Sequence, residues 1–241
     1  MKTEMVTIGW GHLAMLLPLV LVVIGILWRW GVESANAPYA IARMLVQLTL
    51  IGYLLIFIFS ARSGWIVIGV LGVMLAFATW IALRTVPGRR RELLTLGVVS
   101  IALGGGTTLL LVTQGVLNLH PWYRPDYMIP LAGMVFANAM NSVSLASERY
   151  EAERREGSAL LVARNAAMRS ALIPVLNSLF AVGLVSLPGM MTGQILSGVS
   201  PLIAARYQIM VMLMVFAAAG LSAALFVWGL TRQELETNRR S

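Results

Sequence analysis

Along most of this chain, apolar positions run together for some twenty residues at a time, and polar positions gather in short intervals between the runs. Seven runs are long enough to cross hydrocarbon, which takes about 20 residues of α-helix. They are Ile8 to Trp28, Ala37 to Phe59, Gly64 to Leu83, Leu93 to Val112, Tyr127 to Ala146, Ala171 to Met191 and Tyr207 to Leu230. The pattern predicts an all-α, polytopic integral-membrane bundle of about seven transmembrane helices, forming one domain over residues 1–241. Within it, 147–170 reads as a cytoplasmic helical loop and 171–201 as a broken sixth helix. The first run holds Pro18, has no basic leader beyond Lys2, and ends in Trp28-Arg29-Trp30 instead of a small-residue cleavage site. It therefore reads as a span and not as a signal peptide.

Charge sets the expected orientation. With the N-terminus outside, 14 of the 18 Lys and Arg residues fall on the cytoplasmic side, leaving Lys2, Arg62, Arg124 and Arg206 outside. Basic residues favour cytoplasmic loops, so the expectation is an external N-terminus, a cytoplasmic C-terminus and an odd number of spans. Trp65, Trp80, Trp122, Tyr123 and Trp228 fall near span ends, where amphipathic rings prefer the headgroup level.

Composition narrows the class. With 59% hydrophobic and 12% charged residues, the chain carries about half the charge of a soluble domain. The net charge of +8 does not point to nucleic acid, because no basic stripe interleaves with aromatics. There is no Cys, so neither a disulfide nor a thiolate metal site is available. No Cys nucleophile, HExxH motif or acid pair within a run is present, so no catalytic residue is expected and a membrane enzyme is disfavoured.

Chemistry concentrates in NSLFAVGLVSLPGMMTGQILSG, from Asn177 to Gly198, where polar residues punctuate an apolar run interrupted by Pro188-Gly189. Such a break frees backbone groups that lipid cannot satisfy. It marks either part of a transport path or a proline kink in a packing helix. Path candidates are Asn138, Asn141, Asn177, Ser178, Ser186, Pro188, Met190, Met191, Thr192 and Gln194; the alternative for their polar members is hydrogen bonding between helices. Ser186, Met190, Met191 and Gln194 are expected to face a cavity or a dimer axis. Gly189 with Gly193, and Gly133 with Ala137, have the small-xxx-small spacing that permits close helix approach, and are dimer-packing candidates. Gly104–Gly106 makes the fourth span either flexible or closely packed. Asn118 to Pro130 reads as an outside loop.

The interval SERYEAERREGSALLVARNAAMRS is rich in helix formers, and Glu151 is placed to pair with Arg154 and Arg155 along one helix face. After Gly157 the pattern turns amphipathic, which suits docking into a partner's groove or lying on the membrane surface; the alternative is a solvated extension of the flanking helices. Arg149, Arg154, Arg155, Leu160, Leu161, Arg164 and Arg169 are the candidate contacts.

PLAGMVFANAMNSVSLASER, ALIPVLNSLFAVGLVSLPGMMTGQILSG and RYQIMVM closely resemble the FetB (YbbM) family of membrane permeases, which includes bacterial proteins linked to iron export and plant aluminium-tolerance proteins. The resemblance is strongest from Met128 to Met214. It implies the permease subunit of an ATP-binding-cassette (ABC) transporter in the cell's inner membrane, homodimeric and paired with a separate cytosolic ATPase that holds ATP and Mg. Export of metal ions such as iron, or of a related small solute, is the implied activity. One departure bears on coupling: family members carry a longer loop with an LGATP-like stretch before the ALIP element, and here EGSALLVARNAAMRS stands in its place.

The residues argue separately for an external energy source. All ten acidic residues lie at or beyond the span ends, whereas proton-coupled carriers usually need an intramembrane carboxylate or His relay, for which His12 is the one candidate. No GxxxxGK[ST] loop is present, so ATP hydrolysis and any cofactor are expected on the partner. The competing class is a secondary carrier or channel that needs no partner. For metal, two distant His residues and no buried acid offer no ligand set for a hard cation, and no metal site is expected. The methionines Met134, Met140, Met190, Met191, Met210, Met212 and Met214 serve either as adaptable packing or as soft contacts.

Overall fold

The computed structural model describes residues 9–31, 36–59 and 63–238. Lys2, Glu4, Glu33, Arg62, Arg239 and Arg240, which enter the charge argument, lie outside them. The chain divides into two units, Met1–Ser60 and Ala61–Ser241.

In the first unit, the leading apolar run is divided between α1 (Trp10–Ala14) and α2 (Leu17–Arg29). Pro18 explains the division. It has no N–H to offer the preceding turn and its ring would crowd the carbonyl of Ala14, whereas in the first turn of α2 that missing donor is unneeded. Gly31, at φ +67°, follows the end of α2. Leu19, Leu21 and Val22 of α2 all point outward, as lipid-facing side chains must. The third helix, α3 (Asn36–Phe59), has 24 residues and is about 36 Å long, sufficient to span.

The second unit begins with α4 (Gly64–Ala82), followed by two short 3-10 turns. Next comes α5 (Arg90–Ile101), which passes through a π-helical turn at Ala102–Gly106 into α6 (Thr107–Leu110) and a second π-helical turn at Leu111–Val116. The remaining helices are α7 (Pro125–Arg155), α8 (Leu160–Ala181), α9 (Gly189–Leu196) and α10 (Pro201–Asn238). The two longest, α7 and α10, lie against each other at the centre, and α8 packs on both; α4 covers α7, while α5 and α9 flank α10.

Periodicity decides which faces pack. On α7 the buried positions include Met128, Leu131, Val135, Ala139, Ser142, Ala146 and Tyr150, and on α10 Val211, Val215, Ala218, Ser222, Phe226 and Leu230. Each set recurs every three or four residues, as one stripe of a helix does. From α8 come the small side chains Ala163, Ala167 and Ala171, with Val175. Such residues let backbones approach, and the Ser142 hydroxyl donates across to the Ala171 carbonyl at 3.1 Å.

The triple glycine is closely packed. A Cβ on Gly104 would lie 2.5 Å from the backbone nitrogen of Ser222 on α10, and one on Gly105 would lie 2.9 Å from a methyl of Val135 on α7. The π-helical turn therefore sits where this helix meets both central helices.

Among the described residues five stretches are long and apolar enough to cross a membrane: Trp10–Arg29, Gly64–Thr85, Pro87–Val116, Pro125–Arg155 and Pro201–Glu236. The interval 147–170 is helical apart from a short turn, built from extensions of the flanking helices: α7 continues unbroken to Arg155 and α8 starts at Leu160. The stretch from Ala171 onward is a broken helix, since α8 stops at Ala181 and α9 starts at Gly189. One boundary differs from expectation: Asn118 to Pro130 is not wholly a loop, because α7 begins at Pro125 and carries Pro130 inside it.

Candidate functional site

The break between α8 and α9 is the feature that positions the site, and its cause is not the Pro188-Gly189 pair. Val182 turns extended at ψ 130°, and Gly183 adopts φ +84°, a conformation that L side chains rarely take. The freed backbone groups then pair locally. The amides of Val185 and Ser186 donate to the carbonyl of Ala181 at 2.8 and 3.2 Å, and that of Gly183 donates to Ser186 at 2.9 Å. Pro188 sits just before α9 as its N-terminal flanking residue, where it removes no helical hydrogen bond. The Thr192 hydroxyl and amide both donate to the Pro188 carbonyl, at 3.1 and 3.0 Å.

Two cavities lie on either side of α9. One, of about 460 Å³, is lined by Asp126, Tyr127, Met134, Met190, Gln194 and Tyr207, among others. The other, of about 430 Å³, is lined by Val182, Leu187, Met191, Gln208, Met212 and further aliphatic residues. The neighbours Met190 and Met191 thus enter different cavities, as do the neighbours Tyr207 and Gln208. Together α9 and the first turns of α10 form the partition. Each cavity contains one glutamine whose Oε1 is buried without a hydrogen-bond partner, Gln194 in the first and Gln208 in the second.

Of the path candidates, Met190, Met191 and Gln194 are brought to the cavities. Ser186 is exposed in the connecting loop, and Pro188 is half-buried there. Asn177, Ser178, Thr192 and Asn141 are exposed, and Ser178 donates to the carbonyl of Pro174 one turn earlier at 2.9 Å. Asn138 is half-buried and donates from Nδ2 to Met134 at 2.8 Å. Ser178, Thr192 and Asn138 thus satisfy their own helices and bridge no neighbours. Gln208 was not among the candidates. Its signal was available, as the one amide side chain inside the apolar run RYQIMVM.

The small-residue candidates divide similarly. Gly133 faces Met74 of α4, whose Cε lies 3.6 Å from where a Cβ would be, and Ala137 is exposed. Nothing lies within 4 Å of a Cβ placed on Gly189 or Gly193. The close approaches within the chain are instead at Gly97 against Thr79, at Gly104 and Gly105, and at Gly229 against Leu96.

At the opposite end of the unit, the Arg-rich segments converge. Glu151 pairs with Arg89 at 2.5 Å, across 62 positions, and not with Arg154 or with the Arg155 head group as one-helix spacing suggested. Arg154 reaches Glu234 of α10 and the Ser158 carbonyl; the Nε of Arg155 donates to the backbone of Glu151 at 3.3 Å. Arg149 pairs with Glu153. These contacts tie the 3-10 turn that precedes α5 to α7, and α7 to α10. Leu160 is half-buried, whereas Leu161 and Val162 are 59% and 54% exposed. Arg164 donates to its neighbour Asn165 from Nε at 3.3 Å and Nη2 at 3.2 Å. Arg169 and Arg149 share a groove of about 350 Å³ with Val162, Asn165, Ser170 and Ile173.

Helices of this length and apolarity, several carrying outward-facing aliphatic surfaces, define a multi-pass integral-membrane protein. The chain belongs to UPF0014, an uncharacterised protein family whose model matches residues 10–235. It is 35% identical to the UPF0014 membrane protein slr1647 of Synechocystis, over 92% of each chain. It is 32% identical to the probable iron export permease protein FetB of Escherichia coli, over 87% of this chain and 86% of that one. The protein ALUMINUM SENSITIVE 3 of Arabidopsis thaliana is 35% identical over 77% of this chain and 72% of its own. No solved structure matches the chain.

Proposed function

We propose that this chain is the permease subunit of an ATP-driven transporter. It would work as a homodimer in the cell's inner membrane, with seven spans, an external N-terminus and a cytoplasmic C-terminus. The observation that carries the proposal is the outward face of the first turns of α8. There Leu161, Val162 and Arg164 are exposed beside a groove holding Arg149 and Arg169, at the end of the unit where the Arg residues gather. An apolar pair flanked by cations suits a partner helix carrying apolar anchors and acidic residues. In this reading the partner is a cytosolic ABC ATPase, which would bind ATP and Mg, and α8 transmits its motion to the break at Val182–Pro188.

A cargo of metal ions such as iron, moved outward, is supported by the similarity to a chain named as a probable iron export permease. The open faces of Gly189 and Gly193 offer a close-approach surface for a second copy.

The test is co-expression with the ABC ATPase encoded nearest to the gene. Wild-type chain should co-purify with that ATPase and drive ATP-dependent accumulation of radioactive iron in inside-out vesicles. Leu161→Asp with Val162→Asp should abolish both while leaving the permease monodisperse in detergent. Transport that continues without any ATPase would overturn the proposal in favour of a partner-independent carrier.

A further inference from the structure

At the end of the unit where α7 turns back into α8, several arginines are paired within the chain: Arg89 with Glu151 and Glu92, Arg154 with Glu234, and Arg232 with Glu236. The groove of about 350 Å³ between α7 and α8 is different. Its polar walls are Arg149, Asn165, Arg169 and Ser170, its apolar walls include Val162 and Ile173, and no carboxylate lines it. Arg169 has no ion-pair or hydrogen-bond partner among the described residues. Arg149 gives one N–H to Glu153, out of the five that a guanidinium carries. Asn165 accepts from Arg164 through Oδ1, which leaves its amide NH2 as a donor. The groove thus offers N–H and O–H donors, two of them cationic, and this is the complement of an anion's oxygens.

Depth selects among anions. The Ser142 hydroxyl donates to the Ala171 carbonyl and sets those two residues at one level. From that level Arg169 lies about 3 Å along α8 and Arg149 about 10 Å along α7, both towards the turn that joins the helices, at a rise of 1.5 Å per residue. In the opposite direction the face of Arg169 continues through Ile173, Leu176 and Phe180, spaced by three or four residues and all exposed. Leu145, one turn before Arg149 on α7, is exposed as well. The two cations therefore stand just beyond a lipid-facing apolar strip. An arginine stem can lie along such a strip with its head at the interface, and a guanidinium without a protein partner gains there from a phosphate at the same depth. Basic pockets between spanning helices hold anionic headgroups in this way.

We infer that the groove binds an anionic phospholipid. Its phosphate is received by Arg149 and Arg169, with Asn165 and Ser170 donating to its oxygens, and its acyl chains lie along Leu145, Ile173 and Leu176. Leu161 and Arg164, which the ATPase reading also uses, do not line the groove. The site requires the membrane setting and does not rest on the permease reading.

The experiment uses the full chain in detergent, stripped of co-purified lipid, without ATPase or nucleotide. Native mass spectrometry follows the binding of phosphatidylglycerol and of phosphatidylcholine with identical acyl chains. Wild type should bind the first phosphatidylglycerol about twentyfold to thirtyfold more tightly, fivefold for each of two cations at headgroup depth. Arg169→Gln should lower that preference about fivefold, whereas Arg169→Lys should keep most of it. Because Arg169 holds no contact within the chain, Arg169→Gln should melt as wild type does. Arg91→Gln removes an exposed arginine outside the groove and should leave the preference unchanged. A large excess of inorganic phosphate, at ionic strength matched with chloride, should not displace the lipid. Equal wild-type affinity for the two lipids overturns the inference, as does a preference that survives Arg169→Gln or that falls equally with Arg91→Gln. Displacement by phosphate would show that the groove takes a soluble anion and would overturn the lipid assignment. Failure of the ATPase to co-purify, with the lipid preference intact, would remove the permease reading and leave this site standing.

Discussion

Arg154 donates from Nε to Oε2 of Glu234 at 2.8 Å, joining the last turn of α7 to the far end of α10, 80 residues later. Both side chains are mostly covered, at 29% and 20% exposure. Through Glu234 the pair also adjoins Arg89, 4.0 Å away, and through Arg89 it adjoins Glu151. Two central helices are thus clamped at one end by a charge network, which extends through Arg89 to Glu92 at 2.8 Å. Removing Arg154 leaves the partly buried Glu234 with the longer 4.0 Å contact to Arg89, and removing Glu234 takes the carboxylate from Arg154. Arg154→Ala and Glu234→Ala should each lower stability by about 1 to 3 kcal/mol. Both together should cost less than the sum of the two, as a double-mutant cycle on detergent-solubilised protein would measure.

Glycine substitutions should separate packing positions from open ones. At Gly104 an added methyl meets the Ser222 backbone at 2.5 Å, which cannot give way as the tip of a flexible side chain could. Gly104→Ala should therefore destabilise the chain by about 1 to 3 kcal/mol through overpacking. Gly106→Ala, with nothing within 4 Å, should be neutral or slightly stabilising, since alanine favours helix. Thermal melts of the two variants side by side provide the check.

The break before α9 should depend on Gly183 more than on Pro188. At φ +84° a side chain on residue 183 is strained, so Gly183→Val should cost about 1 to 2 kcal/mol and disorder the loop. Pro188→Ala should be mild, because the proline lies outside both helices and its carbonyl, which Thr192 uses, remains. Limited proteolysis in nanodiscs should show new cleavage between residues 182 and 188 for the first variant only. Equal resistance of the two would refute this assignment.

Topology is open to a direct test. Reporters fused after Ser241 and inserted in the turn between Glu156 and Ala159 should both be cytoplasmic, and one fused before Met1 should be external. Finding both chain ends on the same side would eliminate a seven-span arrangement.

Membrane character and the approximate places of the long helices were legible in the order of residues, because the need for about 20 apolar residues per crossing acts locally and lipid permits little else. The existence of an interruption near Pro188 was legible for the same reason. Its position was not. That depends on Gly183 taking a positive φ and on the amides of Val185 and Ser186 finding the Ala181 carbonyl, which no residue type signals alone. Met190, Met191 and Gln194 were recognisable as an unusual group, but their division between two cavities follows from where α10 lies.

The linear order of residues by itself determined that this protein is helical, multi-pass and asymmetric in its basic charge. Tertiary structure alone decided the pairings between distant segments. Glu151 had two arginines at helical spacing and took Arg89 instead, because the 3-10 turn before α5 delivers that guanidinium against the face of α7. Gly189 and Gly193 have the spacing of a contact motif yet stand open, whereas Gly104 and Gly105 bear the contact. Gln208 became a buried acceptor only because α9 folds back beside α10 and closes apolar walls around it. The physical reason is the same in each case: burial and partner choice depend on which surfaces meet, and that is a property of the packed chain and not of any window along it.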